Sequence, residues 1–379
     1  MIPQPQPDQT PEPESQSPLP NDANLPPLPV QGDRKTRFTP KRLLLGAAAA
    51  ILLAATGWGI FQAATGPSTG SKPGQFYQGK IRIGVTSWPG YLGLYIADKK
   101  GFFKDTGLDV ELKYYDSLAE TERDYLAGKL EGRANLTLDA LKEAQNEFNH
   151  KIILAIDHSS GSDGIIAAPQ IKAVAQFKGQ KVAFEKGTLE EFFLRFALEQ
   201  NNLTLTDITP VDLDPEKSAR AFADGQVPIA VTYEPYMGKA LSQQAGTVVF
   251  SSKDAPGLIT DILTMPTDFI EKYPDSVDRL IRAYFRGLQF WKDHPGEGNA
   301  IMAQTSNDTA ENIAKQLEGI TMLDQDDNRS AFSFAAGLDS LYGNLRQLAD
   351  FTSAGSQASP SQFDTDQLIE PRFIEALGR

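Results

Sequence analysis

The stretch "IRIGVTSWPGYLGLYIADKKGFF", Ile81–Phe103, changes character twice within its length. Ile81–Thr86 reads as a strand, and Tyr91–Lys100 reads as a helix that ends at Gly101, a residue suited to a left-handed cap. Between them, Pro89-Gly90 forces an exposed turn, and Ser87, Trp88 and Tyr91 flank it. Large aromatic side chains at the point where a strand gives way to a helix are expected as walls of a site. Ordinary packing at the rim of the fold is the alternative.

Working outward from this unit, short apolar runs keep alternating with helical patterns. Strands are expected at 108–114, 133–136, "KIILAI" (Lys151–Ile156), "GIIAA" (Gly164–Ala168), "KVAFE" (Lys181–Glu185), 208–212, "PIAVTY" (Pro228–Tyr233), "TVVFSS" (Thr247–Ser252) and 259–263. Helices fall between them, and after Pro266 nearly everything reads as helical, with 275–292, 309–317 and 332–348 the main runs. Alternating units of this size predict an α/β fold built on mostly parallel sheet with helices on both faces.

The polar residues cluster just after the strands, in "TSWPGY" (86–91), "DHSSGSDG" (157–164), "EKGTLEE" (185–191), "TYEPY" (232–236) and "SSKDAPG" (251–257). Ligands in open α/β sheets sit off the carboxyl ends of strands, so these loops predict one shared crevice. Ser160, with Ser159 and Ser162, and Asp163 could hydrogen-bond a ligand there, although Ser and Gly also serve plain turns. Thr188 begins a helix and suits an anionic head group, while Glu191 three positions on also fits an ordinary capping box. Asp157, Glu185, Glu234 and Asp261 end or flank strands, and Tyr233 precedes Glu234 at a strand–helix turn. Carboxylates facing a crevice would hold a nitrogen cation by charge-assisted hydrogen bonds and would repel bare nitrate. Glu234 is the strongest of these candidates from its position. Asp157-His158 is not a catalytic pair, because adjacent strand residues point to opposite faces.

Charge and composition exclude several functions. The 379-residue chain carries a formal net charge of −13. Five acidic and six basic residues precede Gly79, so the remainder holds −14. A phosphate backbone wants a basic face, so nucleic acid is excluded as a partner. There is no cysteine, which removes disulfides, thiolate metal sites and a cysteine nucleophile, and the three histidines, His150, His158 and His294, are too scattered for a metal site. No cofactor is expected.

Residues 1–42 are Pro-, Gln- and Ser-rich and are expected to be a disordered cytoplasmic tail. Residues 43–65, "LLLGAAAAILLAATGWGIFQAAT", carry no charge and as a helix would span roughly 34 Å, enough for a hydrocarbon core of about 30 Å. Arg34, Lys35, Arg37, Lys41 and Arg42 all precede that run, so by the positive-inside rule the body is exported. An uncleaved anchor is expected, with cleavage near Ala63-Ala64 the alternative. Residues 66–77 form a linker.

The ordered set "IRIGVTSWPGYLGLYIADKKGFFKDTGLDVEL", "AIDHSSGSDGIIAAPQIKAVAQFKGQKVAFEKGT", "GQVPIAVTYEPY" and "SSKDAPGLITDIL" resembles the solute-binding proteins of nitrate, sulfonate and taurine ABC importers, over about Lys80–His294. The resemblance implies a type 2 periplasmic-binding-protein fold, two α/β lobes that close on a ligand, here with a mostly helical C-terminal extension and a single transmembrane helix ahead of it. On that basis lobe I is 78–168 plus 257–379, lobe II is 169–256, and hinges lie at Ala168-Pro169 and Pro256-Gly257. It further implies a small nitrogen- or sulfur-containing organic solute, sulfonate/taurine-like or amine/guanidine-like, and an ABC permease and ATPase as partners. The location implied is the periplasmic side of the cytoplasmic membrane. A membrane-anchored ligand sensor is one alternative. An enzyme on the same fold is another, but the related thiamine-pyrimidine synthases use a cysteine-rich motif that this chain lacks, and the chorismate-dehydratase-like enzymes work in the cytosol.

Overall fold

A computed structural model describes residues 76–354 and 363–378. The expected tail (1–42), membrane segment (43–65) and nearly all of the linker lie outside the described residues. Among the described residues no helix is long and apolar enough to cross a membrane.

Among the described residues eleven strands form two sheets. The first contains β1 (Lys80–Val85), β2 (Asp109–Tyr114), β3 (Gly132–Leu136), β4 (His150–Ser159), β10 (Thr260–Pro266) and β11 (Ile320–Met322), in the order β11-β4-β10-β3-β1-β2. The second contains β5 (Asp163–Ala167), β6 (Lys181–Phe184), β7 (Thr209–Asp212), β8 (Ile229–Tyr233) and β9 (Thr247–Ser251), in the order β7-β6-β8-β5-β9. The chain passes between the sheets twice, at 160–162 and at 252–259.

Four expectations need correction. The sheets are mixed rather than mostly parallel, because β10 runs antiparallel to β3 and β4, and β5 runs antiparallel to β8 and β9. A strand arriving from the other sheet enters at the junction, where its neighbours end, so it must run the opposite way. For the same reason β5, expected in the first lobe with a boundary at Ala168-Pro169, belongs to the second sheet. Finally, the region after Pro266 contains a strand, β11, whose Ile320 and Met322 are buried where it adds to the edge of β4. The helix expected at 332–348 begins only at Leu341, after a turn in which the Ser340 hydroxyl donates to the Ser333 carbonyl at 2.7 Å.

The core follows the apolar periodicities. Ile81, Ile83 and Val85 of β1, Ile152–Ile156 of β4 and Leu280, Ile281, Tyr284 and Leu288 of the long helix Pro274–Asp293 are buried together. That helix crosses Leu92–Lys99 closely enough that a methyl at Gly287 would lie 2.2 Å from the Gly93 carbonyl. A buried Arg–Glu pair interrupts the apolar interior. Arg133 of β3 pairs with Glu143 of the helix Thr137–Gln145, and its Nε donates to Thr121 Oγ1 at 2.7 Å. Both charged side chains are fully buried.

Breaking such a pair leaves an uncompensated buried charge. Glu143→Ala should therefore lower the unfolding free energy by about 3 kcal/mol in urea titrations of the full chain. A loss below about 1 kcal/mol would show that Arg133 does not depend on it.

Candidate functional site

The strand arrangement decides where chemistry gathers. β1, β3, β4, β6, β8 and β9 end at the junction between the sheets, while β5 and β10 begin there. The rim therefore collects residues from both kinds of strand end. Asp157 near the end of β4 stands opposite Asp261 near the start of β10. Just before this pair the register slips and Ile156 is passed over, which re-aims the end of β4. Asn328 fixes the irregularity: its Oδ1 accepts the Ala155 N–H at 3.0 Å and its Nδ2 donates to the Ala155 carbonyl at 2.9 Å.

The opening stretch closes over this pair. After β1 the chain makes a single 3-10 turn, Pro89–Tyr91, in which Tyr91 N–H donates to the Trp88 carbonyl at 3.1 Å. Pro89 pre-sets the turn's backbone angle. Tyr91, buried, donates its hydroxyl to Asp261 Oδ1 at 2.6 Å. Trp88, half-buried, donates its indole N–H to Asp157 Oδ2 at 3.2 Å. A Cβ at Gly90 would sit 2.0 Å from that same oxygen, so the close approach requires glycine.

From the other sheet, Asp163 begins β5 opposite Tyr233. Its negative charge lies close enough to raise the pKa of both Asp157 and Asp261. Beyond it stands Glu190, the second residue of the helix Leu189–Glu199, with Tyr233 alongside. Asp157, Asp163, Glu190 and Asp261 are 0%, 8%, 8% and 4% exposed, and among the described residues none of the four has a Lys or Arg ion-pair partner.

Burial without a counter-charge disfavours ionisation, and that is the main cause of each shift. Desolvation pushes Asp163 up to about 6, against the opposing hydrogen bond from Ser159, and pushes Glu190 up to about 7, against Thr188. Asp157 and Asp261 are both raised, by burial first and then by neighbouring carboxylates. No group of three His, Cys, Asp or Glu residues suited to a metal ion occurs among the described residues.

The other sequence candidates take different positions. Glu234 does not join the cluster: its carboxylate accepts the Gly238 N–H at 3.0 Å and caps the next helix. Glu185 is only partly buried, and its raised pKa comes from burial first and then from Asp214 and Asp212. Thr188 is not a capping-box residue. Its hydroxyl lies 2.8 Å from the Glu185 carbonyl and 2.5 Å from Glu190 Oε2, and Glu191 reaches the Gly187 N–H instead at 2.9 Å. Ser160 sits on the crossing, its N–H donating to the Gly319 carbonyl at 2.8 Å, and Ser87 is exposed on the turn. His158 bonds Thr260 Oγ1 at 3.0 Å and stands apart from Asp157. Sequence reasoning missed Glu190; the paired acids of "TLEE" signal a charged first turn, but only helix register says which one turns inward. It also missed Lys142, which donates to the Gly187 carbonyl at 3.1 Å and so ties a helix of the first sheet to a loop of the second. The seam carboxyls are buried in this structure. An open groove of about 510 Å³ lies elsewhere, between Leu189–Glu199 and Leu341–Ala354.

The shifts have a thermodynamic sign. Each carboxyl has a folded-state pKa above its unfolded value near 4. The folded chain therefore holds extra protons between those two values, and stability falls as pH rises through that window. For Asp163 and Glu190 the windows end at about 6 and about 7. The melting temperature of the ligand-free chain should drop by roughly 5 °C between pH 5 and pH 8. The drop should shrink in an Asp163→Asn, Glu190→Gln double variant, and a melting temperature that climbs across this interval would contradict the assignment.

The profile of the family described as NMT1/THI5 like matches residues 88–298. A Bacillus subtilis protein named for aliphatic-sulfonate binding is 26% identical over 307 residues, 78% of this chain and 87% of its own. Among solved structures, the periplasmic aliphatic sulphonate binding protein of Escherichia coli superposes with a TM-score of 0.65 at 20% identity, covering 77% of this chain and 92% of that one. The periplasmic nitrate-binding protein of Synechocystis PCC 6803 gives 0.58 at 16% identity, covering 78% and 87%. The two sheets and their double crossing are thus the periplasmic-binding-protein fold, and the chain belongs to the NMT1/THI5-like family.

Proposed function

We propose that the protein is the extracytoplasmic solute-binding component of an ABC importer, held at the membrane by its N-terminal apolar segment. Its solute is a small organic molecule, captured in the crevice between the two sheets and handed to a permease and ATPase. Family membership and relatives named for solute binding support the first part. One observation carries the second: an aromatic-capped set of buried carboxyls, drawn from both sheets, meets at the seam, and among the described residues none of them is ion-paired to a Lys or Arg.

A group contacted from both sheets binds the closed state better than the open one, and that difference in affinity drives closure. Carboxylates at the seam recognise a donor or cationic nitrogen by charge-assisted hydrogen bonds. The Trp88 face adds an aromatic wall, worth roughly 0.5–2 kcal/mol for a cation stacked on it. Bare nitrate would meet four acids and gain little. A molecule joining an amine to a sulfur group keeps a favourable end, and so does an amine or guanidine compound. The residues proposed to touch solute are Trp88, Tyr91, Asp157, Asp163, Tyr233 and Asp261, with Ser87, Ser160, Glu185 and Thr188 farther out along the same loops.

A thermal-shift series on the full chain with guanidinium, propylamine, taurine and nitrate tests this. Ligands with a nitrogen cation should raise the melting temperature in proportion to the logarithm of concentration, as mass action requires. Trp88→Ala should weaken the best of them about tenfold. Stabilisation by inorganic anions alone, unchanged in Asp157→Asn, would contradict the reading.

A further inference from the structure

The helix Leu189–Glu199 begins at the rim of the second sheet, and its first turn is the natural seat there for an anionic head group. Free backbone N–H groups and the positive end of the helix dipole gather at such a place. In this chain that seat is already taken. Glu190 holds its carboxyl at the start of the helix, 2.5 Å from the hydroxyl of the N-cap Thr188, at 8% exposure. Glu191 is turned the other way, onto the Gly187 N–H, so the two neighbouring acids do different work. Around Glu190 stand Asp163 of β5, Tyr233 of β8 and Glu185 at the end of β6. From the facing sheet Lys142 reaches the adjoining Gly187 carbonyl.

We infer that Glu190 is the specificity-determining residue of the crevice. It fills the anion seat of the second sheet with the protein's own carboxyl, so that half of the site refuses sulfonate and nitrate head groups and accepts a cation. This rests on the reading of the crevice as the solute site. It explains how a chain of this fold can take solutes of opposite charge to those named for its sulfonate- and nitrate-binding relatives: the helix end is kept, and an internal anion occupies it. A carboxyl in that place both removes the seat and adds its charge to Asp163, whereas a ligand anion would have to displace it.

Methylguanidinium and ethanesulfonate, titrated calorimetrically into the full chain and its variants, test the assignment. The unsubstituted chain should bind methylguanidinium and show no heat with ethanesulfonate. Glu190→Gln, which keeps the shape, should weaken methylguanidinium at least tenfold. Glu190→Ala, which empties the seat, should bring ethanesulfonate binding into the measurable range. Glu191→Gln should change neither. Ethanesulfonate binding by the unsubstituted chain as tight as methylguanidinium binding would overturn the role of Glu190 while leaving solute capture intact, and it needs no variant to fold. An unaltered preference in folded Glu190→Ala would overturn it equally. A chain that binds nothing from a broad solute panel would remove the solute-site reading itself, and the assignment with it.

Discussion

Everything at the seam depends on the antiparallel pairing of β4 with β10, which sets Asp157 directly opposite Asp261. Two carboxyls held side by side out of water oppose each other and are poorly solvated, so the folded state is raised in energy wherever both ionise. The surrounding structure over-determines the arrangement. Asn328 locks the slipped register of β4, Gly90 lets the backbone approach within contact of Asp157, and Tyr91 and Trp88 each donate one hydrogen bond. An apolar or amide pair would suit stability better. An unfavourable pair so firmly held at the seam of a two-sheet fold is the ground of the proposal that a ligand supplies the missing charge there.

Fold and ligand separate cleanly here. The double crossing between mixed sheets is shared with proteins named for sulfonate and nitrate binding, at identities too low to carry a ligand across. The fold contributes a rim where strand ends from two sheets converge. In the proposed reading the ligand is decided by a handful of side chains on that rim, and these are acids. Family membership and an opposite charge preference are therefore compatible, since the same helix terminus serves an anion whether the anion comes from solution or from the second residue of the helix.

Much of this was legible in the sequence. The strand–turn–helix order of Ile81–Phe103 was legible, because a Pro-Gly turn between two apolar periods has few other solutions, but the turn expected to be exposed is buried at Pro89, Gly90 and Tyr91. Asp157, Asp163 and Asp261 were legible for a similar reason: each sits next to a buried run, and the fold brings such ends together. What failed was direction and rotamer. Strand direction is not written in a two-residue period, so the antiparallel crossing strands and the placement of β5 in the second sheet could not be read from it. Nor does position tell whether a carboxylate will face the crevice or satisfy a helix N–H. Glu234 does the second, while Glu190, one register step from the more obvious Glu191, does the first.

The central claim is that a solute cation replaces protons held by the buried carboxyls at the seam. Calorimetric titration of the best-stabilising nitrogen cation at pH 7, repeated in buffers of different ionisation enthalpy, counts the protons exchanged on binding. The account predicts net release, because the carboxyls raised by burial give up their protons when a positive charge arrives among them. Zero exchange, or uptake, would contradict it.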